Sequence, residues 1–533
     1  MFDRLVGVET EYALRCSAHG TDGGRLTNAA LFERLRANVA RKVPVAPAIV
    51  PENGWFLASG GSLKMERLPF YSFMPSSGLV EGATPECRGP RQLLLYQRAQ
   101  DVLLSRAARG EGTTDAVLLK CNHDGHAHHF GCHENYEATV ATGIRLLVWR
   151  VTLVVALPVL FLLLLVADVA ALLLCAVPSL LLRPLLSRSP RAAQVAAWAL
   201  SWLVCLCRLP LQVAALMLLG PTAFVRVRRQ LLPFLMSRCV IAGTGMVHRD
   251  GRFTLSPRAS TLRSLCGLSA AAWRSVFYFC HVGKASGEAL VGDPVALARL
   301  FRQQQRLQIS VGDSNMAQFA EYLKIGTTLL VLDAIDAGEL EGAPRLWRPL
   351  AALGAICADP NLQARVRLTG GRHWTAVQIQ RYYLDACRRF VNRSEPENGE
   401  AQQVLRLWEQ TLDDLALDPS RLVGKLDWVT KRYLLDRAGP DASRATRSKV
   451  DLRYHELSRE GYYLQLEAAG LAPTLVEPEQ VLDAIAQPPP GTPATQRGQL
   501  IRQHAESGLR ASWSSVIMPC GSRVRLEMET RSM

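Results

Sequence analysis

The sequence predicts an α+β protein interrupted by a hydrophobic helical insert, and three observations predict it. Met1–Arg15, MFDRLVGVETEYALR, reads as a strand: Leu5, Val6 and Val8 precede Tyr12, Ala13 and Leu14 with no helical period. Gln92–Arg109, Glu400–Leu417 and Leu426–Arg437 place apolar residues at the spacing of amphipathic helices. Arg145–Arg229 is a break in composition, apolar almost throughout.

On the first strand, Glu9 and Glu11 are two apart and share a face. Two carboxylates there repel unless a cation sits between them, and Mg²⁺ takes such oxygen ligands. The alternative is that one or both simply face water. Asn28–Val43 has helical spacing at Leu31, Phe32, Leu35 and Val39, and Pro44, Pro47 and Pro51 end it. Asn53–Ser62 reads as a turn, a short strand and a glycine turn. Leu63–Leu79 reads as a polar and aromatic loop. Val80–Cys87 returns acidic residues, Glu81 and Glu86.

Val117–Ala141 reads as a hairpin. Its loop holds His123, His126, His128 and His129, crowded without zinc-ligand intervals, and His133 opens a polar run, His133-Glu134-Asn135-Tyr136. Arg306–Asp313 reads as a strand, Ala317–Ala337 as a helix, Arg365–Arg372 as a strand with a glycine turn, and Thr375–Phe390 as a helix. Arg367 and Arg372 are candidates for phosphate clamping or for local salt bridges. Pro473–Arg497, rich in Pro and Gln, reads as a linker.

Within the insert, Val151–Ala167 is uncharged, Asp168 and Arg208 are isolated charges, and Arg183, Arg188 and Arg191 lie between the two greasy halves. Uncharged runs of this length reach the lower limit of a membrane-spanning helix. Motifs on both flanks are expected to build one site, so the number of crossings is even. Two crossings put the three arginines outside, against the positive-inside tendency. Four short crossings, or two hairpins that dip and return, put Asp168 and Arg208 at the far tips. A helical hairpin buried in the body is the remaining alternative.

The 533 residues suffice for two to four domains. Lys and Arg number 61 against 47 Asp and Glu, a net +14 that favours acidic partners: nucleotide phosphates, anionic lipid or an acidic protein. No aromatic-interleaved basic run, finger or helix-turn-helix signature points to nucleic acid. The 13 cysteines include no CxxC pair, which suggests reduced thiols in a cytoplasm. Met1–Arg15 has charges throughout, so no signal peptide is expected there.

GVETEYAL, ATPEC, FGCHENY, RLQISVGDSNM, YLKIGTTLLVLD, RLTGGR, LDWVTKR, DLRYHEL and SGLRASW, in this order from Gly7 to Trp513, resemble the Pup ligase and Pup deamidase/depupylase family. The resemblance implies a glutamine-synthetase-like fold: a curved antiparallel sheet cradling ATP and Mg²⁺, helices behind it, and a small C-terminal domain. It implies ATP-dependent activation of the C-terminal carboxylate of the small protein Pup, its joining to a lysine, or reversal of that bond. Carried over by position, Glu9, Glu81 and His133 match metal ligands. Thr84, Asn135, Arg306 and Trp513 match nucleotide contacts, while Arg258 and Arg372 fall in shared motifs.

The family also carries R-x-Y-x-D on the strand after its Asn-Gly, ending in a catalytic Asp. That strand here reads Trp55, Leu57 and Ser59, and no catalytic residue is assigned. The histidine two after the nucleotide arginine reads Gln308, and the acidic TRDEPH segment is missing between Arg258 and Arg306. The expected organisation is residues 1–143 and 230–472 as two halves of one catalytic-type domain, 144–229 as a membrane insert, and 473–533 as a C-terminal domain. The expected function is a membrane-tethered ligase or amidase on a Pup-like or other acidic peptide, its body on the cytoplasmic face of the inner membrane, with proteasome-related proteins as further partners. The alternative is a pseudoenzyme serving as a nucleotide- or peptide-binding adaptor.

Overall fold

The computed structural model describes all residues except 17–26, 51–53, 67–77, 110–115, 121, 124–129, 179, 182–189, 269–273, 291–292, 294 and 527–533. Its centre is β1 (Leu5–Cys16), where the sequence places it. Val6, Val8, Thr10 and Tyr12 point one way and are buried, so Glu9 and Glu11 point the other. Behind β1 lies the helix Gly89–Arg109. The Thr10 hydroxyl donates to Gln97 (3.3 Å) and Tyr12 to Asp101 (2.7 Å) from that helix. The odd positions are thereby left to the open face.

β1 pairs antiparallel with β5 (Leu79–Ala83) on one side and with β8 (Cys132–Thr139) on the other. β6 (Cys87–Arg88) and β7 (Ala116–Leu119) also pair with β1. Beyond β5 come β4 (Ser62–Glu66), β3 (Trp55–Leu57) and β2 (Val45–Pro47). Beyond β8 come β13 (Gln304–Gly312), β12 (Ser275–Tyr278) and β11 (Ser264–Gly267). A separate ribbon joins β9 (Met246–Val247) to β10 (Phe253–Thr254). Helices 318–336, 376–394 and 399–417 pack behind the sheet, and the first of them is buried along nearly its whole length.

Four expectations are corrected. The sheet is mixed, because β11 and β12 run parallel. Val117–Ala141 is not a hairpin: β7 and β8 pair in succession with β1, at Ala13–Cys16 and Val6–Thr10. The stretch expected as a loop over Leu63–Leu79 begins as strand β4, in register with β5, and ends at the first residue of β5, while residues 67–77 lie outside the described residues. Pro473–Arg497 is no linker: it holds the helix Pro478–Ala486 and opens the helix Pro493–His504, both with proline in the first turn. The three-stranded unit that follows packs Leu509, Ala511 and Val516 against Ala46, Ala48 and Phe56.

The insert is two long antiparallel helices. Gly143–Ala171 continues through a π-helical stretch, Leu172–Ala176, and Pro190–Leu219 returns alongside it. Asp168 and Arg208 are not at tips. They face each other within the hairpin, Nη2 to Oδ1 3.4 Å. Gly143–Cys175, 33 residues, and Trp202–Leu219, 18 residues, are each long and apolar enough to cross a membrane. Many large side chains stay exposed, among them Val154, Leu162, Leu165, Val166 and Leu173. The first turns dock on the body: Trp149 Nε1 donates to Leu300 O and Arg150 Nε to Phe301 O, both at 3.0 Å.

Candidate functional site

The open face of the sheet forms a bowl, and the register fixes its occupants. Glu11 on β1 lies opposite Glu81 on β5, and Lys64 on β4 lies opposite Glu81 on its other side. Glu66 follows Lys64 by two and shares its face. One carboxylate oxygen each of Glu11, Glu66 and Glu81 lies within 4.8 Å of the others. This trio suits a hard divalent cation. Burial, then the charges of Glu81 and Glu11, raise the Glu66 pKa well above the carboxylate range, and its Oε2 is buried with no hydrogen-bond partner. A bound cation would relieve both conditions. Burial also pushes Glu11 up, but His133 and Arg258 outweigh it and bring it down to about 2.

Glu9 is handled differently. Its Oε1 accepts from Arg306 Nη2 at 2.6 Å and Asn135 Nδ2 at 3.3 Å, with Lys284 Nζ 3.9 Å away. Arg306 Nε also donates to Asn135 Oδ1 at 2.8 Å, which locks β13 to β8. Burial opposes the Glu9 charge, but Lys284, Arg306, Lys64 and His133 hold it ionised.

Beside this group opens a cavity of about 960 Å³, lined by Glu9, Thr84, Asn135, Arg306 and Trp513 among others. That is the size of a pocket for a nucleotide-sized ligand. The Thr84 hydroxyl is already engaged, accepting from Val8 N–H at 3.1 Å, so it ties the end of β5 to β1. Trp513 stands edge-on to Phe56 at 5.1 Å, and the Arg497 guanidinium lies 4.8 Å from its ring centroid. Buried Arg497 donates to Gly60 O (2.7 Å) and Trp513 O (3.1 Å) and pairs with Glu86, which fixes that wall.

His133 sits 3.8 Å from Glu11 Oε1 and 3.4 Å from Arg258 Nη2, and its Nδ1 is buried without a partner. Arg258 is itself buried and held by Ser310, through Nε to the carbonyl (2.9 Å) and Nη2 to the hydroxyl (2.6 Å). It therefore orients His133 from beneath and does not line the cavity.

Of the residues matched to metal or nucleotide positions, all converge on the bowl except Arg372. That residue lies in an exposed turn between the strands Arg365–Arg367 and His373–Thr375, its guanidinium 5.6 Å from the Trp374 ring. Gly370 and Gly371, both at positive φ, make the turn that projects it outward. Arg367 likewise stacks on Trp347 and not on the cavity.

The strand after Asn53-Gly54 is also not the one beside Glu81. β3 carries Trp55, which stacks under Arg36 (4.5 Å), and Ser59 lies in the turn to β4. The strand that does flank Glu81 presents Ser62, Lys64 and Glu66 at alternate positions. Sequence reasoning missed Lys64 and Glu66, although the alternation SLKME after Gly60-Gly61 was available as a signal. It also missed Lys284 and His281, on the helix Cys280–Leu290, for which no motif gave notice. His123 is remote from the bowl, in a buried network with Asp451, Lys431 and His455, while His126, His128 and His129 lie outside the described residues.

Residues 4–517 match the family model described as Pup-ligase protein. The chain is 35% identical over 310 residues to the Pup deamidase/depupylase of Mycolicibacterium smegmatis, a match spanning 56% of this chain and 59% of that relative. It is 28% identical over 526 residues to the Pup–protein ligase of Acidimicrobium ferrooxidans, covering 95% of this chain and 90% of the relative. The crystal structure of the complex between the prokaryotic ubiquitin-like protein Pup and its ligase PafA superposes with a TM-score of 0.68 at 22% identity, covering 99% of this chain and 90% of that one. PafA in complex with ADP gives 0.62 at 20% identity, covering 97% and 94%.

Proposed function

The chain belongs to the Pup-ligase protein family, and from that premise we propose that it is a membrane-tethered, ATP- and Mg²⁺-dependent enzyme acting on the C-terminal carboxylate or isopeptide bond of a Pup-like small protein modifier. The observation that carries this reading is the juxtaposition of the Glu11, Glu66 and Glu81 oxygens with the cavity bearing Asn135, Arg306 and Trp513.

A carboxylate is a poor electrophile and is activated by phosphorylation, which concentrates negative charge. Mg²⁺ held by Glu11, Glu66 and Glu81 would supply neutralisation of that charge. Arg306 and Lys284 offer donors to phosphate oxygens at the Glu9 end, and Trp513 offers a flat face pinned by Arg497. Glu66 supplies the carboxylate that Ser59 lacks. Ser62, Lys64 and Glu66 repeat the spacing R-x-Y-x-D on the strand beside Glu81, so Glu66 stands in the place of that motif's Asp; a cation on one of its oxygens would hold the carboxyl ionised and leave the other oxygen to take the proton.

The membrane tether rests on the hairpin. Phe224 N–H donates to Val140 O at 3.0 Å, so the two helices leave and rejoin the body at one place and both halves stay on one side. The exposed apolar side chains along the hairpin suit lipid, with the body in the cytoplasm at the inner membrane. About 50 Å of helix from Gly143 to Cys175 exceeds a bilayer core of about 30 Å, and docking of the Trp149 turn on the body takes up part of the excess.

The test is release of ADP or phosphate by the purified chain with ATP and Mg²⁺. Glu66→Gln should lower turnover by about 10²- to 10⁴-fold while nucleotide still binds. A non-catalytic adaptor is the second reading, favoured by the pairing of Glu9 with Arg306 and Lys284. Nucleotide binding with no turnover in the unaltered chain would establish it.

A further inference from the structure

The bowl carries its own cation. We propose that the Lys64 ammonium occupies, between Glu81 and Glu9, the place a second divalent ion would need, so that the bowl takes one divalent ion, at Glu11, Glu66 and Glu81. The proposal rests on the reading of that trio as a metal site.

Lys64 reaches Glu81 from the adjacent strand, Nζ to Oε1 2.9 Å, with its side chain largely buried. Its other acidic neighbours in the bowl are Glu9 and Glu66. The lysine therefore lies in the field of three of the four bowl carboxylates. It holds Glu81 through Oε1.

Glu9, the carboxylate left outside the trio, has Arg306 at 2.6 Å and Lys284 at 3.9 Å. Lys64, Lys284, Arg306 and, beneath Glu11, Arg258 together offset the four carboxylate charges of Glu9, Glu11, Glu66 and Glu81. One divalent ion then makes the group net positive, ready for an anionic phosphate. A second ion beside Glu9 would meet three fixed positive charges at short range. The arrangement also gives Lys64 a positioning role: it holds Glu81 at the angle from which the trio converges.

The experiment counts Mn²⁺ bound to the full chain in detergent, without nucleotide, by electron paramagnetic resonance titration. The unaltered protein should bind one Mn²⁺. Lys64→Met and Lys64→Gln should each bind two, Lys64→Arg one, and Lys64→Met combined with Glu9→Gln should return to one. Thermal midpoints of all variants verify that they are folded. Two ions on the unaltered chain, or one ion on both neutral variants, overturn the proposal and leave the trio intact as a metal site. No bound ion on any form overturns the trio as well, which separates the two failures.

Discussion

Glu134 lies between two bowl residues, His133 and Asn135, and points the opposite way, into the core. There it meets Arg238, just past the helix Val225–Ser237 that returns from the insert. Arg238 donates through both terminal nitrogens, Nη1 to Oε2 at 2.8 Å and Nη2 to Oε1, and Nη1 also reaches Thr328 at 2.7 Å. Tyr136 donates to Glu134 Oε2 at 2.6 Å. Neither side chain of the pair is more than 2% exposed. Burial alone would raise the Glu134 pKa, but Arg238 leaves it lowered.

Glu134→Gln strands a buried guanidinium, and Arg238→Met strands a buried carboxylate. Removing one partner of such a pair costs about 3–5 kcal/mol, whereas removing both is close to neutral. At the lower end of the usual shift, about 2 °C per kcal/mol, each single variant should lose about 6–10 °C in thermal midpoint. The double variant Glu134→Leu/Arg238→Met should recover most of that loss. Because the anchor sets the strand on which His133 and Asn135 stand, both singles should also weaken nucleotide binding. The assay is thermal unfolding of the full chain in detergent, with binding of a fluorescent ATP analogue in parallel. Singles that shift by under 2 °C, or a double as unstable as the sum of the singles, would refute the reasoning.

Arg306→Ala removes charge-assisted bonds to Glu9 and Asn135 and should weaken nucleotide affinity by about 10- to 100-fold, read by equilibrium titration. Arg372→Ala, on its exposed turn, should leave that affinity within about twofold, and a larger loss would return Arg372 to the site. His281 is buried on the cavity wall, and burial, then Arg306, lower its pKa to about 4. The unfolded chain therefore binds a proton that the folded chain refuses. Stability should be intact above the unfolded pKa of about 6.5 and fall by about 1.4 kcal/mol per pH unit from there down to about 4. His281→Phe should flatten that part of the unfolding profile; an unchanged slope counts against the assignment. The full chain should stay in the membrane pellet through an alkaline carbonate wash, and its release into the supernatant would remove the tether.

Much of the fold was legible because it rests on local pattern. The alternation in β1 told both that it is a strand and that Glu9 and Glu11 share a face, and helical spacing located the helices behind the sheet. Glu66 was not legible in the same way. Its role depends on β4 pairing with β5 across residues 67–77, and the turn after Asn53-Gly54 drew attention to the wrong strand of a hairpin. Lys284 comes from a helix far along the chain, placed over Glu9 by packing alone. Arg372 erred the other way: a glycine turn next to arginine is good phosphate chemistry, but this one faces solvent.

By itself, then, the sequence determined the central strand, the amphipathic helices, the greasy insert and the family motifs, since these follow from short-range periodicity and residue identity. Tertiary structure alone decided which strands are neighbours, and so which carboxylates converge and which lysines enter among them. Register across a sheet brings together residues that no sequence interval connects, and charge balance in the bowl is a property of that register.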